Sequence, residues 1–169
     1  TIACVISELK KELIGGRLYK IAQPENDELL LTIKQPTGQK RLLLSASASL
    51  PLIYLTESNK PSPMTAPNFC MLLRKHLVGG RITEIEQSGL ERIVTFTVRS
   101  VNELGESGTK KLVLEAMGRR SNLLLLDEDD RILDCMRRVE FEVSGARALL
   151  PGLYYQLPMP LDKLSLLTN

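Results

Sequence analysis

The chain carries one segment twice. Leu13-Ile14-Gly15-Gly16-Arg17-Leu18-Tyr19-Lys20-Ile21-Ala22-Gln23 recurs as Leu77-Val78-Gly79-Gly80-Arg81-Ile82-Thr83-Glu84-Ile85-Glu86-Gln87, an offset of 64 residues. At that offset Asp27-Glu28-Leu29-Leu30 meets Glu91-Arg92-Ile93-Val94. Further on the offset becomes 70, where Lys40-Arg41-Leu42-Leu43-Leu44 meets Lys110-Lys111-Leu112-Val113-Leu114, and Ser45 to Leu55 then aligns with Glu115 to Leu125. The six extra residues fall in the polar, glycine-containing stretch Asn102 to Gly108, which reads as a lengthened hairpin loop. The repeats cover about 2–56 and 66–127, so the fold must consist of two related halves.

Each copy has the same plan. Ile2, Val5, Ile6, Leu9 and Leu13 recur at helical spacing, as do Phe69, Leu72, Leu73 and Leu77. Gly15-Gly16 and Gly79-Gly80 follow, where a left-handed helix end calls for glycine. A strand comes next, and its Leu18/Ile21 and Ile82/Ile85 spacing breaks strict alternation, which predicts a bulge or strong bend. A hairpin and a final apolar strand complete each unit, the last being Leu52 to Thr56 and Asn122 to Asp127. Arg131 to Val139 holds one further candidate strand, and Leu150 to Tyr155 reads as a turn with an extended exit. A one-sided sheet must cover its apolar face. The expected class is therefore α+β, a duplicated β-sandwich with flanking helices, the halves packed face to face about a pseudo-twofold axis. Residues 1–160 would form this lobe, and 161–169 would begin a following region.

Composition narrows the chemistry. The 169 residues are 43% hydrophobic and 25% charged, which excludes a disordered tail and a disulfide-dense miniprotein. Tryptophan is absent and aromatics are 4%, so the core must be aliphatic. No run of about 18 apolar residues exists to span a bilayer. The chain starts with Thr1 rather than Met and shows no signal-peptide pattern, as expected of a fragment or processed chain. Cys4, Cys70 and Cys135 are odd in number and far apart, which predicts buried, reduced thiols in a cytosolic protein. One histidine, His76, sharply limits His-based metal or nucleophile chemistry; no metal, cofactor or catalytic residue is expected. The net charge of +2 does not by itself announce a nucleic-acid partner.

Other charged features have local explanations. Gly-Gly-Arg lacks the frame of a phosphate loop, so Arg17 and Arg81 read first as packing or pairing residues. Asp127-Glu128-Asp129-Asp130 lacks the alternation of a calcium loop and reads as a solvated turn. Two places differ between the copies. Gly118-Arg119-Arg120-Ser121-Asn122 stands where copy one has Ala48-Ser49-Leu50-Pro51-Leu52, a gain of residue types that contact phosphate and sugar, or of solubilising charge. At Glu91-Arg92 the acid is retained from copy one and the arginine is new; the pair can hold an RNA backbone or base edge, or form an internal salt bridge.

Several strings resemble a known family: Gln23 to Leu29, Leu42 to Ser49, Phe69 to Ile82, Gln87 to Ile93, Asn102 to Gly105, Met117 to Asn122 and Leu150 to Tyr155. They are similar to the N-terminal NFACT domain of the fibronectin-binding protein A, RqcH and NEMF family. The resemblance implies a fold like the N-terminal domain of formamidopyrimidine-DNA glycosylases. Those enzymes use an N-terminal Pro-Glu that Thr1-Ile2 does not supply, so glycosylase activity is not implied.

The resemblance further implies a ribosome-associated quality-control factor that is not itself an enzyme. Such a factor engages the obstructed large ribosomal subunit, its peptidyl-tRNA and a charged tRNA, and supports C-terminal alanine tailing in the cytoplasm. The family's Asp-Arg pair for tRNA engagement falls on Glu91 and Arg92, and its Gly-Arg-His-Ser-Asn motif falls on residues 118–122 with Arg120 in place of His. The expected RNA-binding residues are Glu91, Arg92, Arg119, Arg120, Ser121, Asn122 and Arg81. The alternative is a surface adhesin for fibronectin with a surface-located fraction, and a second alternative is a glycosylase-like nucleic-acid enzyme.

Overall fold

A computed structural model describes residues 2–47, 52–57, 66–88, 92–101, 104–116, 121–137 and 148–155. Copy one runs α1 (Ile2–Leu13), β1 (Arg17–Ala22), β2 (Glu28–Gln35), β3 (Gly38–Ser45) and β4 (Leu52–Thr56). Copy two repeats the order as α2 (Asn68–Leu77), β5 (Arg81–Ser88), β6 (Ile93–Val101), β7 (Ser107–Glu115) and β8 (Asn122–Leu126), and β9 (Ile132–Cys135) follows.

The nine strands form one antiparallel sheet in the order β4-β3-β2-β1-β5-β6-β7-β8-β9. This differs from two separate sheets stacked face to face. The halves join edge to edge, with Arg17 paired to Arg81. Four backbone hydrogen bonds close the seam in two reciprocal pairs. Gly15 N donates to Ile82 O (2.7 Å) as Gly79 N donates to Leu18 O (2.8 Å), and Ile82 N donates to Gly16 O (2.9 Å) as Leu18 N donates to Gly80 O (2.8 Å). Each bond maps onto its mate under the 64-residue offset, so the seam has a local pseudo-twofold axis. Pairing the exposed edges of β1 and β5 satisfies backbone groups that two separate sheets would leave open, which is the physical reason for the single sheet.

The doubled glycines make that approach work in two ways. Gly15 (φ 89°) and Gly79 (φ 93°) take the left-handed turn after each helix. Gly16 and Gly80 supply room: a Cβ on Gly16 would sit 2.5 Å from Ile33 Cγ2, and one on Gly80 would sit 2.6 Å from Val98 Cγ1. The predicted bulges are present at matching places. Register shifts between Leu18 and Lys20 in β1 and between Ile82 and Glu84 in β5. The extra residue turns Leu18 and Ile21, and likewise Ile82 and Ile85, into the same core.

Each helix packs on the other copy's first strand, α1 on β5 and α2 on β1. The main core is correspondingly shared. Leu9, Leu13, Leu73 and Leu77 from the helices meet Leu29, Leu31, Ile33, Leu42 and Leu44 of copy one and Val94, Phe96, Val98, Leu112 and Leu114 of copy two. At about 1.5–3 kcal/mol for each large aliphatic side chain buried, neither half could leave this surface exposed. Cys70 Sγ and Arg74 Nε of α2 both reach Ile21 O on β1, at 3.7 and 2.7 Å. Burial raises the Cys70 thiol pKa, partly opposed by the Arg74 charge. Cys70 and Cys135 are buried free thiols, and the side chain of Cys4 lies outside the described residues.

A second core lies on the other face of copy two, where Ile93, Val113, Leu124 and Leu126 are covered by Ile132, Cys135 and Leu149. The segment that includes Leu150-Pro151-Gly152-Leu153-Tyr154-Tyr155 fastens this cover. Gly152 N donates to Ile132 O, Ile132 N to Leu153 O and Tyr155 N to Asp130 O, and the Tyr155 hydroxyl donates to the buried Glu115 carboxylate.

The first hairpin strands correct the offset read from sequence. Leu29, Leu31 and Ile33 share the main core with Val94, Phe96 and Val98, so β2 and β6 are related by 65 residues and not 64. A slip of one would turn every side chain of β6 to the wrong face. The backbone agrees, since Ala46 N donates to Asp27 O (2.7 Å) as Ala116 N donates to Arg92 O (2.9 Å). The extra residue falls between Ser88 and Arg92.

Candidate nucleic-acid interface

With the offset corrected, Arg92 occupies the place of Asp27 in copy one. The charge at this corner is therefore reversed between the copies, and the acid at residue 91 is not the counterpart of Asp27. Arg92 is exposed and immediately precedes β6. Its carbonyl accepts from Ala116 N, the residue directly after β7. β7 is paired with β8 through Glu115 and Asn122, and with β6 through Glu115 and Ile93. Arg92, Ala116 and Ser121 thus lie beside one another at one end of three adjacent strands. Between the last two runs the 117–120 segment, which holds Arg119 and Arg120. Those two arginines and Glu91 lie outside the described residues.

Ser121 and Asn122 stand differently from Arg92. They are 0% and 1% exposed. Asn122 Nδ2 donates to Arg137 O (2.7 Å), while its Oδ1 accepts from Arg137 N and Leu123 N, both at 2.9 Å. The Arg137 guanidinium returns a hydrogen bond to Ser121 O at 2.8 Å. The two residues lie beneath the surface, directly after residues 117–120 in the chain and tied to Arg137. Sequence reasoning grouped them with Arg119 and Arg120 because Ser and Asn are common phosphate and sugar contacts. It missed Arg137, whose only sequence signal was a basic pair beside an apolar stretch.

Arg81 is brought to a different place. It pairs with Arg99 at the opposite end of the β5–β6 hairpin from Ile93. Seven strand positions at about 3.3 Å each put it roughly 20 Å from Arg92. Its Nη1 donates to Gly15 O at 3.2 Å, in keeping with a pairing role at the seam.

The acidic stretch forms a turn. Asp127 Oδ1 accepts from Asp129 N and Arg131 N, at 2.8 and 2.9 Å, and Asp130 binds Lys111 Nζ at 2.7 Å. Among the described residues no group of three or more His, Cys, Asp or Glu side chains could hold a metal ion. Nor is any described helix long and apolar enough to cross a membrane. His76 is half-buried on α2, and desolvation, then the charges of Lys110 and Lys75, lowers its pKa.

Comparison with known proteins agrees with this architecture. The chain is 40% identical over 159 residues to the Rqc2 homolog RqcH of Bacillus subtilis, an alignment covering 94% of this chain and 28% of that protein. It is 29% identical over 136 residues to the human ribosome quality control complex subunit NEMF, covering 80% of this chain and 12% of that one. Among solved structures, the N-terminal domain of the fibronectin-binding protein PavA from Streptococcus pneumoniae superposes with a TM-score of 0.89 at 37% identity, covering 99% of this chain and 67% of that chain. The chain thus spans under a third of the length of the RqcH protein it matches. The family model for the NFACT N-terminal and middle domains matches residues 1–169, and the chain belongs to the NFACT family.

Proposed function

We propose that this chain is the RNA-facing lobe of a ribosome quality-control factor that engages the large ribosomal subunit, its peptidyl-tRNA and a tRNA for C-terminal alanine tailing. The observation that carries the reading is the placement of exposed Arg92 beside Ala116, the residue before 117–120, by the Arg92–Ala116 hydrogen bond. Arg119 and Arg120 follow Ala116 by three and four residues in the chain, and we take them to act with Arg92. Arginine presents a planar fork that binds phosphate bidentately, and a cluster of arginines suits an RNA backbone. Glu91, adjacent in the chain, would orient Arg92 or accept from a base edge. Ser121 and Asn122 would hold the loop and not touch RNA. Peptide-bond chemistry would belong to the ribosome, so the lobe itself would be a cytoplasmic, non-catalytic binding module without a cofactor. The names of the RqcH and NEMF relatives support this role.

The test is Arg92→Ala in the full-length protein, followed by recovery of tRNA with the large subunit. Loss of tRNA with an unchanged unfolding midpoint is expected, and wild-type recovery would overturn the role. The alternative, an adhesin for fibronectin, draws on the name of the PavA neighbour. Saturable binding of the full-length protein to immobilised fibronectin, unaffected by Arg92→Ala, would favour it.

A further inference from the structure

The seam carries a second cationic feature, remote from Arg92. Lys34 pairs with Arg17, Arg17 with Arg81 and Arg81 with Arg99, so four cations stand side by side on β2, β1, β5 and β6. Their strand neighbours Ile33, Leu18, Ile82 and Val98 all point into the main core. The four side chains therefore share the face turned away from that core. All four are exposed. Three intervals of about 4.8 Å spread them over roughly 14 Å. Gln39 and Thr109 extend the row by one residue at each end.

Directly opposed like charges destabilise a sheet, and this row repeats that arrangement three times. None of the ion pairs found among the described residues involves any of the four. The row is also symmetric. Arg17 corresponds to Arg81 and Lys34 to Arg99 under the offsets fixed by the strand register, so the charge is the same in both copies here, whereas it reverses at Asp27 and Arg92. Tyr19 stands at the β1 bulge beside the row, 43% exposed, with Lys34 Nζ 3.6 Å from its ring centroid.

We propose that the row Lys34–Arg17–Arg81–Arg99 is a second contact for an RNA backbone, separate from the one at Arg92. Closely spaced cations that repel one another gain most from a continuous polyanion, whose bound counterions they release. Tyr19 steadies the end of the row, its ring lying under Lys34 Nζ at 3.6 Å. The choice of RNA as the polyanion rests on the function proposed above; the charge row does not.

The test uses the full-length protein and a fluorescein-labelled poly(U) oligonucleotide, titrated over a range of salt concentrations. Arg17→Gln with Arg81→Gln removes the inner pair, and Lys34→Gln with Arg99→Gln removes the outer pair. Each pair should lower the slope of log affinity against log salt by about 1.4, at about 0.7 per phosphate contact on a single strand. Two pairs guard against a folding defect confined to one of them. Unchanged slopes in both overturn the proposal, whatever Arg92→Ala does. A lowered slope in the pairs beside a wild-type slope in Arg92→Ala supports the row and counts against Arg92. Displacement of the oligonucleotide by poly(glutamate) at equal charge overturns RNA as the occupant, and a wild-type protein that retains no poly(U) overturns both readings.

Discussion

Asp27 and Arg92 hold the same position in the two repeats: each carbonyl accepts a hydrogen bond from an alanine amide, Ala46 for the first and Ala116 for the second. The backbone of this corner is duplicated while its charge is reversed. Duplication alone explains the shared path, and the charge is where the two copies differ here. Exchanging the charges tests this. Arg92→Asp in the full-length protein should abolish tRNA recovery and shift stability by no more than about 0.5 kcal/mol, since the side chain is exposed and the hydrogen bond belongs to the backbone. Asp27→Arg should leave tRNA recovery as it is. Recovery restored by Asp27→Arg in an Arg92→Asp background would mean that net charge, and not position, decides binding.

Asn122 should prove a structural residue with an indirect effect on RNA. Its amide satisfies both backbone groups of Arg137 and the amide of Leu123. Asn122→Ala orphans these, at about 1–3 kcal/mol for each group left buried without a partner. A fall of that order in the urea-unfolding free energy is expected, together with weaker tRNA recovery as the tie between Asn122 and Arg137 is lost. A stable Asn122→Ala protein with lost tRNA recovery would instead make the amide a direct RNA contact.

The Gly80 site tests the seam. Its Cβ position lies 2.6 Å from Val98 Cγ1 and 3.0 Å from Arg99 O. Gly80→Ala should cost about 1–3 kcal/mol by overpacking. Val98→Ala removes the closer obstacle, so the double variant should be more stable than the sum of the two single losses predicts. Strict additivity in unfolding free energies would show that the seam adjusts without strain.

Much of this architecture is legible in the sequence. The repeat fixed the element order, and the Leu18/Ile21 and Ile82/Ile85 spacing located both bulges because only an extra residue lets both apolar positions face one core. The glycine pairs were read as helix ends, and only the close approach of Ile33 and Val98 revealed that the second glycine of each pair provides space. The single sheet was not legible, because a seam made of backbone hydrogen bonds and an Arg17–Arg81 pair leaves no hydrophobic signature. The offset at Arg92 was misplaced by one because apolar runs such as Leu29-Leu30-Leu31 and Ile93-Val94 align equally well in either register; side-chain alternation decides between them. Ser121 and Asn122 were found by type, but burial, which sequence cannot report for polar residues, separates them from exposed Arg92.

His76 gives the fold a pH dependence of known sign. Desolvation lowers its pKa, and Lys110 and Lys75 add to the effect. The unfolded chain, with an ordinary histidine near 6.5, therefore takes up a proton at a higher pH than the folded chain does. Stability from this group is fully present above that value and is lost as the pH falls through 6.5 toward the lowered folded pKa. Carboxylates titrate mainly below this window, so between about pH 7.5 and 5.5 the histidine should dominate. The urea midpoint of the wild-type chain should drop across that interval, and His76→Gln, which cannot gain the proton, should show a shallower drop. Equal drops in the two proteins would assign the acid sensitivity to another group.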